Sequence, residues 1–186
     1  RLLIATGASA KIPAHLPKDT EGIYVLRTRD DSEALKQKSR EAKAAVILGG
    51  GLIGMRAAYA LNKRGLKVTV VMRSRQVLSQ MLDYAASQII QKQLEKNGVE
   101  VLAGTDVTEV LSRNRKLHAV KTESGQVREA EILIAAKGVS ANMGLIGSTD
   151  IKRRQGIVTD PRMQTSSPGI YAAGDVAETM DLTTGE

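Results

Sequence analysis

The run Val46-Ile47-Leu48-Gly49-Gly50-Gly51-Leu52-Ile53-Gly54 constrains the fold of this chain more than any other stretch. An apolar segment from Ala44 to Leu48 stops at three consecutive glycines, and Gly54 completes a G-x-G-x-x-G spacing. A helical pattern from Ile53 to Arg64 follows, closed by Gly65, and a second apolar run extends from Leu66 to Met72. Strand, glycine turn, helix, strand is the order in which this spacing has physical meaning. Gly49 permits the tight turn. Gly51 lacks a Cβ, so backbone can approach a pyrophosphate. Gly54 lets the helix lie close on the strand. The leading N–H groups and positive dipole end of that helix then face the anion. The pattern predicts a dinucleotide site at Gly49, Gly51, Leu52, Ile53 and Gly54. A glycine-rich turn that binds nothing is the plain alternative.

Composition narrows the rest. The chain has four Tyr and no Phe or Trp, so its core must be aliphatic. That suits a parallel sheet covered on both faces. Cysteine is absent, which excludes a disulfide framework and a thiolate nucleophile within these 186 residues. The only histidines are His15 and His118, so no metal site is expected; His118 reads as a solvated strand residue. The net charge of +7 is scattered and lacks interleaved aromatics. It therefore suggests an anionic ligand rather than nucleic acid. Ala44–Met55, the longest uncharged stretch near the glycines, is too short to span a bilayer. No signal peptide is recognised, and the expected location is cytoplasmic. Arg1 stands where a Met would start a chain, and Leu2–Ala5 already reads as strand, so a piece of a longer protein is expected.

The remaining segments can be placed coarsely. Ile23–Leu26 reads as a short strand, and Asp30, Asp31 and Ser32 offer caps to a polar helix reaching about Arg40. Asp83 caps a second helix with Ala86, Ile89, Ile90 and Leu94 on one face, ended by Gly98. Val99–Leu102 is a further strand. Val107–Leu111, Leu117–Lys121 and Val127–Ala135 read as three strands separated by turn signals at Asn114 and at Ser124-Gly125, an antiparallel meander leading into a buried strand, Ile132–Ala135, that Gly138 ends. The prediction is an α/β fold, a Rossmann-like parallel sheet with an antiparallel β-meander, with its core from about Lys43 to Asn142.

Four pieces, in order, resemble one family. Leu2-Leu3-Ile4-Ala5-Thr6-Gly7 is similar to the strand ending in Ala-Thr-Gly of FAD-dependent pyridine nucleotide–disulfide oxidoreductases. Gly49–Gly54 resembles their NAD(P)H fingerprint. Ala136-Lys137-Gly138-Val139 with Asn142 resembles the segment closing the NAD(P)H domain, and Thr165 through Asp175 resembles the second FAD signature. The resemblance implies residues 1–20 and 146–186 as fragments of a FAD domain flanking a NAD(P)H-binding domain at 21–145. It implies NAD(P)H and FAD as cofactors, and a flavoprotein that moves hydride from NAD(P)H to FAD and on to a second acceptor. Ala136 and Gly138 would line the nicotinamide-side strand end, and Asp175 would accept hydrogen bonds from the FAD ribityl chain. The other FAD glycine fingerprint is missing, so the chain alone is expected to be inactive, with the missing N-terminal half of the FAD domain as a partner. The absence of CxxC between Leu26 and Ala45 excludes a thioredoxin reductase, and the sequence is nearer the NADH oxidase and nitrite reductase large-subunit branch.

Two departures stand out. Arg56 occupies a position where the family usually has Glu. Met72 stands eighteen residues after Gly54, where NAD-specific members carry a carboxylate for the ribose hydroxyls, and Arg73 and Arg75 follow. Guanidinium forks suit a 2′-phosphate; two solvated arginines are the alternative. No catalytic residue is assigned. The apolar strands near each terminus would have open edges and are expected to pair with each other or with a second copy in a homodimer. A rival reading is a non-enzymatic nucleotide sensor whose basic face contacts nucleic acid, but such a sensor has no reason to carry the Thr165–Asp175 signature.

Overall fold

The computed structural model describes residues 1–181. In chain order the elements are β1 (Leu2–Ile4), β2 (Ala8–Ala10), β3 (Ile23–Tyr24), α1 (Arg29–Lys38), β4 (Ala44–Leu48), α2 (Leu52–Lys63) and β5 (Lys67–Met72). They continue with α3 (Tyr84–Lys96), β6 (Val99–Ala103), β7 (Val107–Arg113), β8 (Lys116–Thr122), β9 (Val127–Glu129) and β10 (Ile132–Ala135). The last strands are β11 (Val139–Ala141), β12 (Ile157–Val158), β13 (Ile170–Ala172) and β14 (Ala177–Glu178). The chain divides into two units, Ala10–Gly138 and the remainder, Arg1–Ser9 with Val139 onward.

The larger unit is built on a parallel sheet of order β3-β10-β4-β5-β6. Every residue of β4 and β10 is buried. Alternation sends Ala45, Ile47, Val70 and Ile134 to a layer with Met55, Ala58 and Leu61 of α2 and Leu94 of α3. It sends Val46, Leu48, Val71 and Leu133 to the opposite layer, with Val107 of β7 and Leu117 and Val120 of β8. Helices on one face and a β7-β8-β9 antiparallel meander on the other give the α/β architecture with both faces closed.

Local chemistry fixes the elements. Asn114 and Arg115 both have positive φ, 50° and 60°, which turns the β7–β8 hairpin with the twist of its strands. The stretch 127–135, read above as one strand candidate, is two: β9, and the buried strand β10 at Ile132–Ala135. Ala130 N–H still donates to His118 O of β8 (3.1 Å), whereas Glu131 N–H donates to Ala44 O (3.0 Å), so the chain passes from one sheet to the other between adjacent residues. The cap of α1 is Thr28, one turn earlier than Asp31. The Thr28 hydroxyl accepts from Asp31 N–H (3.1 Å), and the Asp31 carboxylate accepts from Thr28 N–H (2.8 Å), a reciprocal capping box. These bonds hold the Asp31 carboxyl below its ordinary range. Asp83 caps α3 by accepting from Ala86 N–H (2.8 Å). The inward face of α3 differs from the apolar spacing: Ser87 and Leu94 are buried, while Ile89 and Ile90 are exposed. The Ser87 hydroxyl donates to Val77 O, so a polar residue satisfies a carbonyl there. His118 is half-buried rather than solvated, and its Nδ1 is enclosed with no hydrogen-bond partner among the described residues.

In the smaller unit β1 pairs in parallel with β13, Leu2 with Ile170 through Ile4 with Ala172. The two apolar terminal strands thus pair with each other. β12 and β14 form a second parallel pair. Ile4, Ile146, Ile151, Ile157, Ala172 and Val176 make the core. Among the described residues, no helix is long and apolar enough to cross a membrane.

A polar clasp joins the parallel sheet to the meander. Glu100 on β6 accepts from Arg128 Nε (2.8 Å) and Nη2 (2.6 Å) of β9 and from the Thr69 hydroxyl of β5 (2.9 Å). The Arg128 hydrogen bond is the largest influence, and it holds the Glu100 carboxyl below its ordinary value of 4.5. A carboxylate whose folded value is lowered stabilises the fold fully above its unfolded value, and this stabilisation is lost as pH falls through the folded value. The pair is about a third exposed, so its contribution should be on the order of 1 kcal/mol or less. Urea titrations should show wild type more stable than Glu100→Gln at pH 7, with the gap closing as pH drops below 4.5. A gap unchanged between neutral and strongly acidic pH would show that the clasp does not act through charge.

Candidate functional site

In a sheet closed on both faces, the carboxyl-end edge is where backbone polar groups and loops meet solvent. Here three strand ends converge. β4 leads into Gly49, whose φ of +130° lies in the region that favours glycine. Its N–H donates to Val71 O of β5 (2.8 Å). A Cβ on Gly49 would overlap the Ala136 carbonyl after β10, and a Cβ on Gly50 would overlap Met72 Sδ at the end of β5. Leu78 N–H donates to Gly50 O (2.7 Å). A Cβ on Gly54 would overlap the Gly49 carbonyl oxygen, so the first turn of α2 sits directly on the glycine turn.

Gly51 differs from these three. It is the N-cap of α2, and nothing lies within 4 Å of the position its Cβ would take. Its φ of −80° and ψ of −179° are open to any residue, so neither backbone nor packing inside this chain demands glycine here. The first intrahelical bond runs from Met55 N–H to Gly51 O (2.9 Å). The N–H groups of Leu52, Ile53 and Gly54 precede it and have no acceptor within the helix. Leu52 and Ile53 are both about half exposed, and the first turn of α2 has no acidic side chain. Arg56, also exposed, follows. The chemistry on offer is a cluster of backbone donors at a positive helix end, beside a surface left free by a missing side chain.

The flanks of this turn carry the other residues singled out in the sequence. Met72 is buried beneath Gly50 in the helix-side core, so its side chain packs and offers no polar group. Arg73 and Arg75 are exposed past the end of β5. On the other side, Ala136 lies against Gly49, and Gly138 has a φ of +85° with open space around it.

Arg73 is engaged within the chain. Its Nε lies 2.6 Å from Asp106 Oδ2, and its Nη2 lies 3.6 Å from Glu123 Oε1. Lys137 Nζ reaches both oxygens of the same Asp106 carboxylate, at 2.9 and 3.0 Å. Asp106, Glu123 and the ion-pairing role of Lys137 were not legible in the sequence. Asp106 and Lys137 are 31 residues apart, and no periodicity links them.

The smaller unit holds the remaining residues. Because β1 and β13 are parallel, Thr6-Gly7 and Gly174-Asp175 emerge at the same end of that pair. Ala173 N–H donates to Ile4 O (3.0 Å), and Gly174 has a φ of +76°, turning the chain so that Asp175 is exposed. Asn142 locks the Thr6 end. Thr6 Oγ1 donates to Asn142 O (2.7 Å), and Asn142 Nδ2 donates to Thr6 O (2.9 Å). Ser9 Oγ adds a bond to Asn142 Oδ1 (2.8 Å).

Known proteins share this arrangement. An NADH oxidase of Methanocaldococcus jannaschii is 37% identical over 188 residues, spanning all of this chain and 42% of the relative. The structure of a ferredoxin reductase from Rhodopseudomonas palustris matches the whole chain, and 46% of its own length, with a TM-score of 0.94 and 26% identity. A water-forming NADH oxidase from Lactobacillus brevis, solved with NADH, and an engineered NADPH oxidase made from it, solved with NADPH, each match with a TM-score of 0.91 and 26% identity. Each match covers this whole chain and 41% of the oxidase. The engineered form exchanges an Asp-Ala-Met run for Ala-Arg-Ser, eighteen residues after a Gly-to-Ala change, and a later Pro for Arg. The chain spans less than half the length of these relatives. The profile of the pyridine nucleotide-disulphide oxidoreductases matches residues 1–185, and the chain belongs to that family.

Proposed function

We propose that this chain is the NAD(P)H-binding part of a FAD-dependent oxidoreductase. In this reading residues 21–145 hold the nicotinamide cofactor, and 1–20 and 146–186 contribute to a FAD domain. The observation that carries it is Gly51: a glycine that nothing inside the chain requires, at a helix start with three N–H groups lacking intrahelical acceptors. A pyrophosphate fits that cradle, and a Cβ there would stand where it must lie. Leu52, Ile53 and Gly54 donate backbone N–H groups to it. Gly49 and Gly50 keep the turn tight enough for those donors to converge. Ala136 and Gly138 border the nicotinamide end, and Asp175 accepts from the ribityl hydroxyls of FAD. FAD, when bound, supplies the hydride acceptance and onward electron transfer. Proteins of this family partner with diverse acceptors, and the acceptor here would be set by surfaces outside this chain.

The adenosine end favours NADPH in this reading. Buried Met72 places no carboxylate there to accept from ribose hydroxyls or to repel a 2′-phosphate. The interval from Gly54 to Met72-Arg73-Ser74 is eighteen residues, the spacing at which the engineered NADPH oxidase carries Ala-Arg-Ser. Counted from Gly54 as from the exchanged glycine, Arg73 and Ser74 fall at the places of its Arg and Ser, while Gly54 stays a glycine.

Calorimetric titration of the purified chain should show binding of NADPH and NADH. Gly51→Val should keep its circular dichroism, because a Cβ there meets only open space, with at most a modest fall in melting temperature because Val caps a helix less well than Gly, and should lose binding of both cofactors. Retained affinity in a folded Gly51→Val would sink the assignment. NADPH should bind at least as tightly as NADH. One charge-assisted contact contributes about 1.5–3 kcal/mol, so Arg73→Ala combined with Arg75→Ala should weaken NADPH roughly tenfold or more while sparing NADH. A several-fold NADH preference in wild type would contradict this. Finally, one glycine fingerprint cannot cradle two dinucleotides, so the chain alone should purify colourless and show no NAD(P)H oxidase activity with added FAD. A stoichiometric flavin absorbance band would overturn that expectation.

A further inference from the structure

Asp106 immediately precedes β7, directly after the turn that follows β6, and its side chain is only 6% exposed. Four contacts hold its carboxylate: Arg73 Nε at 2.6 Å, Lys137 Nζ at 2.9 and 3.0 Å, and Val107 N–H at 3.0 Å. A carboxylate buried this deeply needs a cation, and Lys137, itself largely buried, meets that need through both oxygens. The ion pair with Arg73 is therefore additional. Arg73, Asp106 and Lys137 together keep one net positive charge, which Glu123 beside Arg73 Nη2 offsets from the solvent side.

The manner of the Arg73 contact matters. Asp106 takes the guanidinium by Nε, the nitrogen nearest the side-chain stem. That leaves the two terminal nitrogens of a side chain that is 72% exposed. Their anionic neighbour among the described residues is Glu123, half exposed and 3.6 Å away. An arginine held this way is a planar fork paired at its base with Asp106 and at Nη2 with Glu123, with Nη1 without a partner among the described residues. An incoming oxyanion can reach Nη1, and Nη2 as the half-exposed Glu123 swings away, without displacing Asp106. An unheld arginine would have to give up its rotamer freedom on binding.

We propose that Asp106 is a positioning residue for cofactor choice: it anchors Arg73 by Nε so that the outer edge of the guanidinium meets the 2′-phosphate of NADPH. This rests on the dinucleotide reading above. NADH has no 2′-phosphate, so the anchoring does nothing for it. The same carboxylate holds Lys137 beside Gly138, so one buried charge braces both flanks of the glycine turn, but only the Arg73 side discriminates between the cofactors.

The test is a set of NADPH and NADH dissociation constants for wild type, Asp106→Asn, Arg73→Ala, Arg73→Lys and the Asp106→Asn/Arg73→Ala double variant, with folding followed by circular dichroism. Asp106→Asn should weaken NADPH about three- to tenfold and leave NADH within about twofold. The double variant should bind NADPH no more weakly than Arg73→Ala alone, because the two act through one contact. Arg73→Lys, at an exposed position that tolerates either side chain, should lose as much NADPH affinity as Arg73→Ala, since an ammonium cannot be anchored at one nitrogen and present two others. The proposal is overturned if Asp106→Asn weakens both cofactors equally, leaves NADPH unchanged or tightens it, or if the two losses add. If Asp106→Asn does not fold, Arg73→Lys decides alone: full NADPH affinity there means that charge suffices and anchoring is irrelevant. Wild type binding neither cofactor would defeat the dinucleotide reading and this proposal with it. Wild type binding both, with Asp106 and Arg73 indifferent, would defeat the proposal alone.

Discussion

Burial of the central sheet on both faces governs everything else in the larger unit. β4 and β10 have no solvent-facing side. Helices must cover one face and the meander the other, and neither layer leaves a place for polar side chains on β4 or β10. Backbone groups can reach a ligand only where strands stop. The donors gathered at the start of α2 are therefore a consequence of the layering. Three strands end together there, and the middle one turns on glycines because its neighbours press on it from both sides.

The parts of this architecture that were legible from sequence are those written in local patterns. The apolar run to Leu48, the glycines and the second run to Met72 placed β4, α2 and β5 to within a residue or two. The turn residues Asn114 and Gly125 marked the meander, since positive φ has a compositional cost that the sequence displays. What escaped were choices made by tertiary contacts. Val127–Ala135 looks continuous because no Gly, Pro or Asn interrupts it, yet its two ends belong to different sheets. The inward face of α3 turns on Ser87, which no hydrophobic count selects, because what it supplies is a hydrogen bond to a carbonyl ten residues earlier.

Charge shows the same division. The excess of basic residues was visible, but which of them are free was not. Arg128 is committed to Glu100, and Lys137 to Asp106, through contacts that span about 30 residues of sequence. Part of the nominal surplus is thus spent on holding the meander and the loops to the sheet. Arg73 is the intermediate case, paired at its base and exposed at its tip, and a formal count cannot distinguish it from a solvated side chain.

The contact between Gly49 and Ala136 has a meaning that does not involve any ligand. Sheets with one wet face carry an internal ruler: sliding a strand by one residue exposes its apolar set. β4, apolar on both sides, has no such ruler, and a slipped alignment would bury nearly the same surface. Steric exclusion supplies what hydrophobicity does not. The native alignment puts a residue without a Cβ against the Ala136 carbonyl, and a slip that brought Leu48 to that place would drive its Cβ into the oxygen, whereas the opposite slip would bring up Gly50 and meet no such bar. The glycine turn thus acts during folding as a stop that bars β4 from slipping past β10 in one direction, whether or not a ligand is present.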